Sequence, residues 1–377
     1  MGKILIIAPF EIFPPYWGAA NRIYNITKCL VADFRVTLLY VRYRQLLITE
    51  DINDPLVNSK HFRVTGITSF GKYSQIFNPL LIITGLLLSC RERYSFILAE
   101  TGWSGLHALL LSLLTRIPYV LDEHNVEWVA FKRMDRGGKL GIFLLKFYER
   151  IICRFAYKLI CVSEVDKELL ASELNIPITK IVVIPNSVDL ERFHPDTSKG
   201  DMIRQTLGLP ANAPLILFNG KLDYKPNREA VGIISHSIIP CVIKDVPDAK
   251  FLVVGNNPPS ESSHDSLIFT GTVDSIEDYI NASDVVICPL LSGGGTRFKI
   301  LEAIACGKRV ISTTIGAEAL IVKETETHLT CVNNWDQFAL EVIKALREDI
   351  DTEPSEGFKN KYGWTHATQV LKSRVFS

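Results

Sequence analysis

The segment SGGGTRFKILEAIACG, Ser292–Gly307, puts three glycines, Gly293, Gly294 and Gly295, directly before Thr296. Two cations, Arg297 and Lys299, follow, and then an apolar run that carries Glu302. The preceding DVVICP reads as a strand and the following run as a helix that starts near Thr296, so the exposed N–H groups of the helix start point into the glycine loop. Arg297 and Lys299 supply charge that neutralises a diphosphate. A carboxylate five residues past Arg297 suits ribose hydroxyls, as acids do in dinucleotide folds. Glycine bend, paired cations and one carboxylate are the parts a nucleoside diphosphate needs; a plain glycine-rich connector is the alternative.

Three other stretches carry groups able to do chemistry. In NGKLDYKPN, Lys221 follows a strand by one glycine, with Lys225 and Asn227 close behind; a phosphate contact and an ordinary loop lysine are both open. In VLDEHNVEW, Asp122, Glu123, His124, Asn125 and Glu127 follow an apolar strand, where side chains at its C-terminal end are expected to face a ligand. In PFEIFPPYWGAANRIYN a strand ends at Pro9 and Gly18 opens a helix, which suits either an anion or a structural turn. G-x-G-x-x-G is absent there, so the NAD fingerprint is not met. Asp349 and Asp351 form an Asp-x-Asp, but in an acidic connection after a helix, so no metal role is assigned to them.

These groups must be held by elements of the right kind. Near-continuous Val/Ile/Leu strands alternate with helices: KILIIAP, RVTLLYV, FILAE, YVLDEH, KLICVS and IVVIPN in the first half, LILFNG, KFLVVG, LIFTG, DVVICP, RVISTT and HLTCV in the second. That pattern predicts an α/β protein with two parallel, doubly wound sheets covered on both faces. The pattern restarts near Pro214, and the Pro/Asp/Ser-rich PNSVDLERFHPDTSKGD marks a boundary near Asp196. Ligands of such sheets bind at the carboxyl ends of the strands, which is where the motifs fall.

Composition narrows the function. The 377 residues are 47% apolar and 22% charged, an ordinary balance for a globular chain with substantial cores. Lys+Arg and Asp+Glu are both 41, so nothing pulls the chain towards nucleic acid. Eight scattered cysteines without C-x-x-C spacing read as buried thiols of a reducing, cytoplasmic compartment, and MGKILIIAPF as a strand and not a signal peptide. Ile76–Cys90 is too short and interrupted for the roughly 20 apolar residues of a membrane span and is expected as a buried helix of a sheet-covering layer, with a membrane-surface element as the alternative. Residues 132–158 read as a basic amphipathic helix, with Lys132, Arg133, Arg136, Lys139, Lys146, Arg150, Arg154 and Lys158 among Phe143, Leu144 and Phe147. It is either a solvated face or a peripheral contact with the inner face of an anionic membrane.

In combination these segments resemble glycosyltransferase family 4, retaining enzymes of the GT-B fold. The resemblance runs over nearly the whole chain, through DEHNVE, CVSEVDKELL, VIPNSVDLERFHP, FNGKLDYKPN, GTVDSIEDYINASDVVICPLLSGGGTRFKILEAIACGKRVISTTIGAEAL and YGWTHATQVLK. It implies two Rossmann-like domains facing a central cleft: 1–196 on the acceptor side, 197–357 holding the sugar nucleotide, and 358–377 crossing back to the first. It implies that Gly18 is the glycine of the first loop, that His124 lies near the reacting sugar, and that Lys221 replaces a phosphate-contacting Arg. Glu302 matches the second Glu of the Glu–seven residues–Glu motif and is expected on the ribose, with the base near Thr272 and Val273. Gly294 stands where the first Glu is usual, a departure that bears on donor choice and that a GGGTR branch of the family shares. Lys225 lies one position early, with Pro226 in its place, for which Arg297 and Lys299 compensate.

The implied reaction moves a sugar from a nucleoside diphosphate sugar to a hydroxyl of a glycan or lipid-linked acceptor, in cell-surface polysaccharide or glycolipid synthesis. Lys221, Arg297, Lys299 and helix N-termini stabilise the leaving diphosphate, so neither metal nor cofactor is expected. A catalytically silent sugar-nucleotide-binding subunit and a GT-B epimerase are the alternatives.

Overall fold

A computed structural model describes residues 1–15, 17–43, 54–210, 212–258, 264–293, 295–348 and 353–376. The chain divides into two compact units, Met1–Pro185 with Trp364–Ser377, and Asn186–Gly363.

The first unit runs β1 (Lys3–Ala8), α1 (Gly18–Val31), β2 (Arg35–Arg42), β3 (Phe62–Thr68), α2 (Pro79–Arg91), β4 (Phe96–Glu100), α3 (Thr101–Thr115), β5 (Tyr119–Glu123), α4 (Glu127–Arg133), α5 (Gly138–Phe155), β6 (Lys158–Cys161), α6 (Glu164–Leu174) and β7 (Ile181–Val183). The strands pair in parallel in the order β3-β2-β1-β4-β5-β6-β7. Side chains alternate across β1: Ile4, Ile6 and Ala8 join the core under α1, and Leu5 and Ile7 join the one under α3 and α5. Burial on both faces is why these strands read as unbroken apolar runs. β3 lacks such a run, because it is an edge strand with three of its seven residues exposed.

The second unit runs α7 (Thr197–Thr206), β8 (Leu215–Asn219), α8 (Lys225–Ile233), α9 (Ile239–Asp245), β9 (Lys250–Val254), β10 (Leu267–Gly271), α10 (Ile276–Ala282), β11 (Val285–Cys288), α11 (Phe298–Ala305), β12 (Arg309–Ser312), β13 (Leu329–Cys331), α12 (Trp335–Arg347) and α13 (Glu356–Tyr362). Its parallel sheet has the order β10-β9-β8-β11-β12-β13. The last helix, α14 (Trp364–Val370), returns to the first unit. There Phe376 meets Phe34 and Phe96, and Thr368 bonds Cys29. In each sheet the winding direction reverses beside the first strand, at β1/β4 and at β8/β11, and such switch points open a crevice at the strand ends.

Three expectations need correction. The boundaries fall at 185/186 and 363/364, not at 196/197 and 357/358. Residues 186–196 are tied to the second unit: Val188 N–H donates to Tyr362 O (2.7 Å), Arg192 pairs with Glu277 (2.8 Å), and Asp196 N–H donates to Asn281 Oδ1 (3.0 Å). Phe358 and Tyr362 lie in that unit's core. Residues 132–158 form no single helix, because the chain breaks between α4 and α5, with Asp135 and Gly137 at positive φ (52° and 85°). The apolar stretch 76–90 is not a buried helix: within α2 only Leu81 and Gly85 are buried.

Candidate active site

In the first unit, β4 and β5 are neighbours in register, so Glu100 and Asp122 stand side by side at the carboxyl edge, with His124 two residues on. Arg22, from the second turn of α1, grips Asp122 with both Nε and Nη2 at 2.8 Å and donates Nη1 to Ile184 O at 3.1 Å. His124 Nε2 lies 3.1 Å from Glu100 Oε2 and 3.5 Å from Asp122 Oδ2. All four side chains are buried. Burial works against the charge of Asp122, but Arg22 and His124 outweigh it and hold this carboxyl well below its usual range. Burial alone would lower His124; its two carboxylate neighbours outweigh that and raise it. His124 Nδ1 and Glu100 Oε1 are buried without a hydrogen-bond partner among the described residues. With Nε2 committed to carboxylates, Nδ1 is the ring nitrogen left for a ligand.

Glu100, Asp122 and His124 bring three possible metal-ligating atoms within 4.8 Å of one another. The guanidinium of Arg22 already takes both oxygens of Asp122, so the set fits an internally compensated ion network and not a cation site. Thr101, directly after Glu100, holds φ at 66°. That left-handed conformation costs a β-branched residue of order 1–3 kcal/mol and fixes the abrupt step from strand to helix.

The acids of DEHNVE do not all gather here. Successive side chains of a strand point to opposite faces, and Glu123 turns to the other side, against Gly102 and 3.6 Å from Cys153 Sγ. Glu149 accepts the N–H groups of Glu127 and Trp128 (3.0 and 3.1 Å), so it caps α4. Burial, with Glu127 nearby, pushes its pKa up to about 8. Gly18 is exposed at the start of α1, whose first turn has no side-chain cap and no acid, as an anion would require.

In the second unit the glycine loop, the Lys221 loop and the start of α11 come together at the β8/β11 switch point. α11 begins at Phe298, two residues later than expected, with Arg297 as its N-cap. The Arg297 guanidinium folds back over its own loop, with Nη2 3.4 Å from Ser292 O. Gly293 permits this: its φ is 110°, and a Cβ there would lie 2.7 Å from Arg297 Nη2 and 3.1 Å from Tyr224 Oη. Lys299 Nζ is 3.2 Å from Asn227 Oδ1 and 4.2 Å from the centre of the Phe218 ring. A Cβ on Gly220 would meet both Asn227 Nδ2 and Lys299 Nζ at 2.8 Å, so a side chain before Lys221 would displace the tips of both. Burial pushes the Lys299 amine down to about 8 and the Glu302 carboxyl up to about 7, the latter against the pull of Arg192 and Lys299. An amine held this way gains most from an arriving anion.

The sequence-derived residues therefore separate into groups. Gly18 and His124 belong to the first unit; Lys221, Gly293, Gly295, Thr296, Arg297, Lys299 and Glu302 belong to one region of the second. Lys221 is exposed beside that region. Thr272 and Val273 follow β10, two strands from β8, with Thr272 exposed and Val273 packed on the core. Gly294, Asp349 and Asp351 lie outside the described residues. Sequence reasoning missed Arg22 and Glu100, which contact the Asp122–His124 strand end from far along the chain. It also missed Asn186, whose Nδ2 donates to Thr296 O at 3.0 Å, and Tyr224. The PNS of VIPNSVD was the available signal for Asn186.

Comparison with known proteins bears on both units. A family model described as Glycosyltransferase Family 4 matches residues 17–192, and one described as Glycosyl transferases group 1 matches 213–348. The chain is 28% identical over 287 residues to the UDP-Gal:alpha-D-GlcNAc-diphosphoundecaprenol alpha-1,3-galactosyltransferase of Escherichia coli, covering 72% of this chain and 71% of that protein. It is 26% identical over 369 residues to an uncharacterized 44.6 kDa protein of the Klebsiella pneumoniae cps region, covering 91% and 90%. Among solved structures, Anabaena HepE in complex with UDP-glucose superposes with a TM-score of 0.74 at 17% identity, covering 98% of each chain. Sucrose-phosphate synthase from Thermosynechococcus elongatus gives 0.72 at 17%, covering 98% and 97%. At these identities the structures speak for the fold, which is GT-B.

Proposed function

The chain belongs to glycosyltransferase family 4, and from that premise we propose that it moves a hexose from a uridine diphosphate sugar to a hydroxyl of a lipid-diphosphate-linked glycan, with retention and without a metal. The observation that carries the donor side is the depressed, half-buried Lys299 amine beside Arg297 and the glycine loop at a sheet switch point. The uridine donor and lipid-linked acceptor are supported by the Escherichia coli relative, whose name specifies both. The relatives favour neither a silent binding subunit nor an epimerase.

In the proposed reaction the bond between the anomeric carbon and the β-phosphate oxygen breaks as the acceptor oxygen bonds to the same face of that carbon. The acceptor proton leaves with the diphosphate. Negative charge grows on the leaving group, and Arg297, Lys299, Lys221 and the N–H groups of the glycine loop are the groups that stabilise it. Glu302 binds the ribose hydroxyls. His124 contacts the reacting sugar through Nδ1, with Glu100 holding the ring. A lipid-linked acceptor places the enzyme at the cytoplasmic face of the membrane.

The test is incubation with UDP-galactose, UDP-glucose or UDP-N-acetylglucosamine and a short-chain lipid diphosphate bearing one N-acetylhexosamine. One donor is expected to give a disaccharide whose anomeric proton coupling matches that of the donor. An inverted product, or no turnover and no thermal stabilisation by any of the three, overturns the proposal.

A further inference from the structure

α2, α3 and α5 lie side by side on one face of the first sheet, α2 against α3 and α3 against α5. Each has an inner face that belongs to the core: Leu81 and Gly85 of α2, Ala108 and Leu111 of α3, Ile152 and Cys153 of α5. The α2–α3 contact is close, since a Cβ on Gly85 would lie 2.7 Å from Leu111 Cδ1. A helix covering a sheet needs one apolar stripe, but α2 and α5 carry a second, turned outward, and α3 adds an exposed leucine near its C-terminal end. Ile83 and Leu87 on α2, Leu113 on α3, and Phe143, Leu144 and Phe147 on α5 are 50%, 58%, 66%, 65%, 54% and 57% exposed. Large outward apolar faces mark interaction sites.

Charge identifies what they meet. α2 and α3 contain no Asp or Glu, and the one acid of α5, Glu149, is buried as the cap of α4. Exposed cations border the stripes: Lys132, Arg136, Lys139, Arg150 and Arg154. A second copy of the chain would set these cations against themselves across a twofold interface. An anionic bilayer answers both properties, because apolar side chains enter the headgroup boundary while Lys and Arg stay with the phosphates. Residues 72–91 have the length and composition of a membrane span, but in the fold α2 is seated on α3 and offers only its outer stripe.

We propose that the outer face of the α2–α3–α5 layer docks on an anionic phospholipid surface. The inference deepens the proposed function, whose lipid-linked acceptor gives the docking its purpose, but lipid binding is measurable without any sugar transfer. Sedimentation with phosphatidylcholine vesicles containing phosphatidylglycerol is expected to capture the protein at low salt, with reduced capture at high salt or without phosphatidylglycerol. Arg150→Glu with Arg154→Glu is expected to lower partitioning at least about tenfold, at roughly 1 kcal/mol for each cation near the surface. Ile83→Gln, Leu87→Gln, Phe143→Gln and Phe147→Gln together are expected to remove the salt-resistant part. Circular dichroism and thermal melting check that the variants fold.

Wild-type protein gives a second readout. Cys90, exposed at the end of α2, carries an environment-sensitive fluorophore whose emission is expected to shift to the blue when phosphatidylglycerol vesicles are added. Absence of vesicle binding at low salt, binding unchanged in both variants, or no blue shift from labelled Cys90 overturns the proposal. So does a dimer that the apolar substitutions dissociate, which would assign the face to a second copy. Vesicle binding by a protein inactive with all three donors would keep this inference and reject the proposed transferase substrates.

Discussion

The two strand-edge clusters are built on opposite plans. At the β4/β5 edge the acids are already answered: Arg22 clamps Asp122, and His124 bridges Asp122 and Glu100. At the β8/β11 edge the Lys299 amine is not. Lys299 is half-buried beside an amide oxygen and an aromatic face, with no carboxylate within ion-pair distance among the described residues, and its amine is pushed down to about 8. Burial penalises charge in both places, but in one the compensating charge is part of the fold, and in the other the proposed diphosphate would bring it. The first cluster is therefore scaffolding with one ring nitrogen left over, and the second, on the proposed function, is a receptor for an anion.

That contrast breaks most visibly at Arg22. Arg22→Met leaves Asp122 buried without its partner and is expected to lower stability by about 3–5 kcal/mol, read by denaturant unfolding at pH 7. Asp122 has a depressed folded-state pKa, so its contribution is present above the unfolded value near 3.8 and is lost as pH falls below it. The wild-type advantage should shrink towards pH 3, and an advantage that stays constant would mean that packing, not the ion pair, is responsible.

Arg297→Ala should act the other way, on turnover and not on folding. Removing one charged contact to the leaving group is expected to raise the barrier by about 2–4 kcal/mol, seen as a drop in kcat with an unchanged melting temperature. Near-normal kcat in the folded variant would take Arg297 out of the site.

Lys299 gives a smaller, pH-dependent effect. UDP should bind the protonated amine, so affinity is expected to fall as pH rises through about 8, approaching about tenfold per pH unit once the amine is neutral. Lys299→Met should bind weakly with that limb missing. Without ligand the sign reverses: between about 8 and 10.5 the unfolded chain holds more protons than the folded one, so stability rises with pH across that window. Calorimetric titration of UDP from pH 6.5 to 9.5 measures the first, and a limb that survives in the variant assigns it to another group.

The smallest expected effect is none. Activity should be unchanged after EDTA, because cations of the chain neutralise the diphosphate; activity abolished by EDTA and restored by Mg²⁺ or Mn²⁺ would place a metal at one of the two edges.

Much of this was readable before any coordinates. Central strands declare themselves because burial on both faces demands unbroken Val, Ile and Leu, and the loops of the second unit because glycine at positive φ and Arg or Lys beside it are local properties. Gly293, Arg297 and Lys299 lie within seven residues, so one stretch of chain holds the core of the proposed anion site. β3 escaped because an edge strand needs no such run, and the unit boundary because residues 186–196 are irregular chain held by hydrogen bonds to distant partners.

The sequence by itself determined two parallel α/β sheets, the position of the ligand loops at strand ends and the chemistry of the cationic loop, since each follows from residue types a few positions apart. Only the tertiary structure decided which acids face the edge, that Arg22 reaches Asp122 across 100 residues, and that Glu100 holds His124. It also decided that α2 and α5 each leave one apolar stripe uncovered, with Leu113 at the end of α3 beside them. Those outcomes depend on strand order and on which side of a sheet a helix lands, and neither is written in the spacing of residues along a chain.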